Sequence, residues 1–204
     1  MIAIVDYGLG NVQAFANIYK RLGIPVTLAK SSSDLAAASR VILPGVGAFD
    51  WAMERLNNSG MRETLDRLVQ VEQRPVLGVC VGMQMMASRS DEGDRAGLSW
   101  LDAEVLRFDE ARIHGRTHLP HMGWNDVEPL RNDGLFKAME DVARFYFLHS
   151  YYFAPRDSAH VLGTTIYGDR FACAVQRDNV YGVQFHPEKS HGWGIQLLKN
   201  FATL

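Results

Sequence analysis

The sequence predicts an α/β fold, a mixed sheet that is largely parallel and covered by helices on both faces. Two observations predict it. Short β-rich apolar runs alternate with helix-patterned stretches through residues 2–79, and such alternation builds a parallel sheet. From residue 104 onward, strand patterns follow one another with few helices between them, which points to antiparallel pairing.

Residues 2–6 read as a buried strand, and residues 12–22 carry Phe15, Ile18, Tyr19 and Leu22 at helical spacing. Further strands are expected at 25–29, 40–43 and 75–79, with helices at 49–56 and 61–71, and a helical stretch at 83–88. The second half offers strands at 104–108, 144–149, 161–167, 171–176 and 180–185. A last helix over 193–201 is apolar at Ile195, Leu197, Leu198 and Phe201. No repeat, low-complexity tract or linker divides the 204 residues, so one domain over 1–204 is expected.

Composition narrows the function. Apolar residues make up 47% of the chain, enough for a core, yet no run approaches the length of a bilayer crossing. A net charge of −2 gives no reason to expect nucleic acid or an anionic membrane surface. Asp6 directly follows the apolar start, which has no basic residue, so a secretory signal is not expected. Two cysteines, Cys80 and Cys173, are too few for a disulfide framework, and a reducing cytoplasm is the expected setting.

One of those cysteines is framed for chemistry. Gly78-Val79-Cys80-Val81-Gly82 joins a strand to a helical stretch, the cysteine form of a nucleophile elbow. The flanking glycines leave room for a sharp, strained turn, and the start of a helix favours a thiolate. A lone cysteine is usually a small core residue; the glycine frame reverses that reading for Cys80. Cys173 has no such frame, shares a face with Phe171 and Val175, and reads as structural.

The partners of a thiolate follow a second strand. In His186-Pro187-Glu188 an extended backbone would point His186 and Glu188 to one side, and the proline favours that backbone. Glu188 would then orient the His186 ring and stabilise its cation. Cys80 and His186 both follow strand ends, where ligands bind in open α/β sheets. Other clusters carry less. Gly8-Leu9-Gly10 lacks the third glycine of a dinucleotide loop. His114, His118 and His121 are separated by Gly115 and Pro120, and no cysteine or acid completes a ligand set, so neither metal nor other cofactor is expected. Met83, Met85 and Met86 read as packing behind the nucleophile.

Six segments taken in order resemble the class I glutamine amidotransferases, and within them the glutaminase subunits of imidazole glycerol phosphate synthase. They are Asp6-Tyr7-Gly8-Leu9-Gly10-Asn11, Pro44-Gly45-Val46-Gly47-Ala48, Gly78-Val79-Cys80-Val81-Gly82-Met83-Gln84, Pro120-His121-Met122-Gly123-Trp124-Asn125, His149-Ser150-Tyr151, and Gln184-Phe185-His186-Pro187-Glu188-Lys189-Ser190. The resemblance implies a flavodoxin-like three-layer sandwich and a triad of Cys80, His186 and Glu188. It implies oxyanion donors at the N–H groups of Val46 and Val81, and a glutamine pocket formed by Gly47, Gln84, Glu92, His149, Ser150 and Tyr151. Glu92 suits the substrate ammonium; it also reads as a solvated loop acid in Asp91-Glu92-Gly93-Asp94.

The resemblance further implies hydrolysis of L-glutamine through a γ-glutamyl thioester, with ammonia channelled to a (β/α)₈-barrel cyclase subunit in a heterodimer serving histidine biosynthesis. His121, Trp124 and Asn125 would lie at that subunit interface, Trp124 as an aromatic anchor or as a packed strand tryptophan. A flip of the peptide over residues 45–47 would hold the site silent until the partner binds. His191-Gly192-Trp193-Gly194 and Tyr151-Tyr152-Phe153 look more like relatives that supply ammonia for sugar amidation in surface-polysaccharide synthesis. A peptidase or γ-glutamyl hydrolase of the same fold is the remaining alternative.

Overall fold

The computed structural model describes residues 1–113, 118–139 and 142–204. Strand β1 (Ile2–Val5) leads through helix α1 (Val12–Arg21) to β2 (Val26–Ala29), and α2 (Ser32–Ala36) leads to β3 (Arg40–Gly45). Helix α3 (Phe49–Asn58) and α4 (Arg62–Asp66), extended by a π-helical turn over Arg67–Val71, precede β4 (Val76–Cys80) and the single turn α5 (Val81–Gln84). Short β5 (Arg89–Ser90) and β6 (Ala103–Arg107) follow, then β7 (His121–Pro129), β8 (Ala143–His149), β9 (Tyr151–Pro155), β10 (Val161–Tyr167), β11 (Asp169–Arg177) and β12 (Val180–Val183). Helix α6 (His191–Phe201) closes the order.

Nine strands form one sheet in the order β2-β1-β3-β4-β12-β11-β10-β7-β8. Pairing is parallel from β2 across to β12 and antiparallel from there to β8. The division follows the sequence: helices return the chain for the parallel strands, while hairpins suffice for the others. Strands β5, β6 and β9 make a second, three-stranded sheet, which sequence patterning did not anticipate. Ile4, Val41, Ile42, Leu43, Val76 and Leu77 are buried, as expected of strands covered on both faces. Among the helices, the Tyr19 hydroxyl donates to the Leu198 carbonyl at 3.1 Å and ties α1 to α6.

Two expectations change. The helical stretch at 83–88 is a single turn ending at Gln84. The backbone beyond it is claimed by the following loop: Leu98 N–H donates to the Met85 carbonyl at 2.7 Å, Leu101 to Met86 and Ser99 to Ala87. The dipole of so short a helix is small. Second, His186 and Glu188 do not meet across an extended segment, because Pro187–Lys189 is a 3₁₀ turn that folds the carboxylate back towards the ring.

Candidate active site

β4 lies between β3 and β12, both parallel to it, so three carboxyl ends open at one edge of the sheet. Cys80 stands at the end of β4 with φ +56° and ψ −114°, a backbone that costs about 1–3 kcal/mol for a residue with a side chain. Close packing holds it there. A Cβ on Gly82 would sit 1.9 Å from the Leu43 carbonyl oxygen, and one on Gly78 would sit 2.7 Å from the Gly82 carbonyl oxygen. Both frame glycines are therefore required by contact.

His186 arrives from β12. Its N–H donates to the Tyr146 carbonyl at 2.8 Å, while the Ser190 hydroxyl donates to the His186 carbonyl and accepts from the Tyr146 N–H. These bonds pin the 186–190 turn against β8. The His186 Nδ1 is 2.9 Å from Glu188 Oε1, and both side chains are buried. Burial works against the imidazolium, but contacts with Cys80 and Glu188 outweigh it and push the ring up to about 10. Cys173, by contrast, is fully buried, and burial pushes its thiol up.

Cys80 and His186 share a cavity of about 270 Å³ with Val46, Gly47, Val81, Gln84, Glu92, His149, Ser150 and Tyr151. The structure thus gathers the residues grouped from sequence around the sulfur. Glu92 is half-buried: one carboxylate oxygen accepts from the Phe49 N–H at 2.8 Å, where α3 starts without a side-chain cap of its own. Asp50 holds the same loop by accepting from the Asp94 and Arg95 N–H groups, each at 3.0 Å. Burial raises the Glu92 carboxyl, the Phe49 N–H opposes it and Asp50 adds to it. Glu92 is thus no freely solvated acid.

The segment around β7 divides. Alternation along the strand turns His121 and Asn125 inward and leaves Met122 and Trp124 exposed. His121 and Trp124 thus lie on opposite faces of β7 in this chain, with the His121 ring between Phe147 and Tyr167 at centroid distances of 4.6 and 4.2 Å. Trp124, 40% exposed, stacks on His191 at 5.3 Å and lines an open groove with Arg144 and Trp193. That groove, about 760 Å³, is the larger space but contains no nucleophile. His121 uses both ring nitrogens in hydrogen bonds, and His114 lies outside the described residues.

Sequence reasoning gave no role to Gln184, Lys189 or Tyr7. Gln184 is fully buried with its Nε2 3.9 Å from the Cys80 sulfur; it lies two residues before His186, so strand alternation was the available signal. Lys189 lines the cavity with its ammonium 5.7 Å from the Tyr146 ring centroid. The Tyr7 hydroxyl donates to the Pro44 carbonyl at 2.8 Å.

The family model for glutamine amidotransferase class-I matches residues 3–203. The chain belongs to that family. Imidazole glycerol phosphate synthase subunit HisH of Bdellovibrio bacteriovorus is 58% identical, with 100% of both chains covered. The protein of the same name from Leptospira interrogans is 46% identical, and imidazole glycerol phosphate synthase subunit HisH 2 of Pseudomonas aeruginosa 45%, each again with full coverage of both chains. Among solved structures, a glutamine amidotransferase superposes with a TM-score of 0.74 at 21% identity, covering 100% of this chain and 99% of that one. PurLQS from Thermotoga maritima gives 0.75 at 15% identity, covering 99% and 97%. These structures share the fold of this class-I amidotransferase chain.

Proposed function

We propose that the chain is the glutaminase subunit of an imidazole glycerol phosphate synthase, supplying ammonia to a (β/α)₈-barrel cyclase partner in histidine biosynthesis. The observation that carries this reading is the meeting of Cys80 and His186 at one cavity, with Glu188 against the far side of the ring, in a chain 58% identical, end to end, to a HisH subunit. The Cys80 thiolate adds to the side-chain amide carbon of L-glutamine. The carbon–nitrogen bond then breaks as the His186 imidazolium gives its proton to the departing ammonia, leaving a γ-glutamyl thioester. His186 next takes a proton from water, which attacks the thioester and frees glutamate and the thiolate. A ring raised to about 10 by Cys80 and Glu188 holds the proton that the first step needs.

Backbone N–H groups of Val46 and Val81 serve the developing oxyanion, a role commonly worth about 3 kcal/mol per donor. Glu92 meets the substrate ammonium, and Gly47, Gln84, His149, Ser150 and Tyr151 complete the pocket. The partner docks on the outer face of β7 and β8, where Met122, Trp124 and Leu148 are exposed. Among the described residues no helix is long and apolar enough to cross a membrane.

The test is ammonia release from L-glutamine by the chain together with a barrel cyclase, for the wild type and Cys80→Ser. Release by the wild type and its loss in the variant are expected; undiminished release by Cys80→Ser would refute the assignment. A second reading keeps the chemistry and sends the ammonia to a sugar. It is favoured by residues 191–194 and 151–153. Offering the imidazole precursor and the sugar acceptor in parallel separates the two.

A further inference from the structure

We propose that Asn125, His121 and His149 form a proton-ordered relay of neutral side chains that positions the Tyr151 carbonyl and Gln84 in the glutamine pocket, with His121 as a positioning residue outside the cavity. The inference deepens the glutaminase reading and rests on it for the identity of the ligand.

The order follows from groups that have no choice. The Tyr151 carbonyl only accepts, and His149 Nδ1 lies 2.8 Å from it, so that nitrogen carries hydrogen. In a neutral ring the other nitrogen, Nε2, must accept. His121 Nδ1 stands 2.9 Å from it and therefore donates. His121 Nε2 is left to accept, and Asn125 Nδ2 is 3.2 Å away. The Asn125 amide cannot turn over, because its Nδ2 also donates to the Ile166 carbonyl at 2.9 Å and its Oδ1 accepts from the Asp126 N–H.

A proton added to either ring breaks the chain. On His121 it would set an N–H against the Asn125 amino group. On His149 it would force the His121 proton onto Nε2, with the same clash. Both rings are neutral by geometry, in the Nδ1–H form. Burial acts the same way, holding His121 down at about 4 and His149 at about 3. Stacking between Phe147 and Tyr167 fixes the His121 plane.

The far end reaches the nucleophile. The Tyr151 carbonyl accepts a second hydrogen bond from Gln84 Nε2 at 3.1 Å, and the same nitrogen donates to Gln184 Oε1 at 3.1 Å. Both Gln84 amide protons are thereby engaged, and its Oε1 is the atom left for a donor on the substrate. Gln184 in turn presents its Nε2 to the Cys80 sulfur at 3.9 Å. Removing His121 releases His149, and with it the carbonyl that keeps Gln84 an acceptor.

Two measurements test this. Nitrogen-15 NMR of the full chain should show His121 and His149 both neutral with hydrogen on Nδ1 at pH 7; an Nε2–H form or a cation at either ring overturns the relay. Calorimetric titration with L-glutamine in the Cys80→Ser background should show His121→Phe weakening Kd by about tenfold or more, the loss of one buried hydrogen bond. His121→Asn, which keeps a donor near the Nδ1 position, should restore Kd to within about threefold. Equal Kd in all three overturns the positioning role, and a misfolded His121→Phe leaves the NMR result to decide. Absence of glutamine binding with the predicted tautomers intact would count against the glutaminase reading and leave the relay standing.

Discussion

His186 Nδ1 and Glu188 Oε1 stand 2.9 Å apart, with side chains only 3% and 2% exposed. The other carboxylate oxygen, Oε2, is buried without a hydrogen-bond partner among the described residues. The carboxylate's charge is therefore directed at one ring nitrogen, and the orientation of that ring depends on it. Glu188→Gln keeps the shape, removes the charge and can turn an amino group towards an N–H. Its kcat for glutamine hydrolysis should fall by about 100-fold or more, with glutamine affinity held within about threefold. Steady-state kinetics in the complex check this, and an unchanged kcat would remove Glu188 from the mechanism.

The buried histidines make stability respond to pH in opposite senses. Burial lowers His149 from 6.5 to about 3, helped by His121 and His186 and opposed by the Tyr151 carbonyl, and lowers His121 to about 4. Both take up protons on unfolding but not in the fold, so stability falls as pH drops from 6.5 towards those values. Each contributes a slope of about 1.4 kcal/mol per pH unit within its window. For His186, burial is outweighed by Cys80 and Glu188, and its folded value is raised to about 10. Its contribution is complete below 6.5 and is lost as pH climbs through 10. Urea unfolding should lose about 2 kcal/mol between pH 6 and pH 5, and His121→Phe should reduce that slope by roughly half. A flat acid limb in the wild type would contradict neutral buried rings.

What the sequence made legible was local. The glycine frame of Cys80 and the spacing of His186 and Glu188 are contiguous patterns, and the parallel strands announce themselves by apolar runs. The inward turn of His121, opposite to Trp124, was also written in strand alternation. The relay from His121 to His149 spans 28 residues, and the contact of Gln184 with Cys80 spans 104. No periodicity encodes such pairs, because tertiary packing decides them. The short helix after Cys80 failed to extend for the same reason: propensity favoured more turns, but the backbone at 97–101 took the carbonyls.

Gly82→Ala tests whether the elbow is held by contact. The added Cβ would fall 1.9 Å from the backbone oxygen of Leu43, which no side-chain rotation relieves. β3 and the start of α5 would have to separate. A loss of about 3 kcal/mol or more in unfolding free energy is expected, together with loss of glutaminase activity. Gly60→Ala is the control, since its φ of +72° is strained for alanine but nothing lies within 4 Å; it should cost about 1–2 kcal/mol. Gly82 carries no such backbone strain, so a loss at Gly82→Ala no larger than that at Gly60→Ala would mean that close approach to β3 does not hold the frame.

Tyr7 holds the strand that leads into residues 45–47. Its hydroxyl is buried and donates to the Pro44 carbonyl at 2.8 Å. Burial and the nearby Cys80 push the phenol up, so it stays a donor through the physiological range. If a peptide of this strand must reorient before its N–H can serve the oxyanion, the Tyr7 bond anchors the segment in its resting form. Tyr7→Phe removes that one bond at the cost of about 1 kcal/mol of stability. Freed from its anchor, the strand should reach the competent arrangement more often without a partner. Ammonia release by the isolated chain should therefore rise by a few-fold, while the rate in the complex stays nearly unchanged. The two rates, measured side by side for wild type and variant, decide the matter: a fall in both would make Tyr7 a support of the active conformation and not a restraint on the resting one.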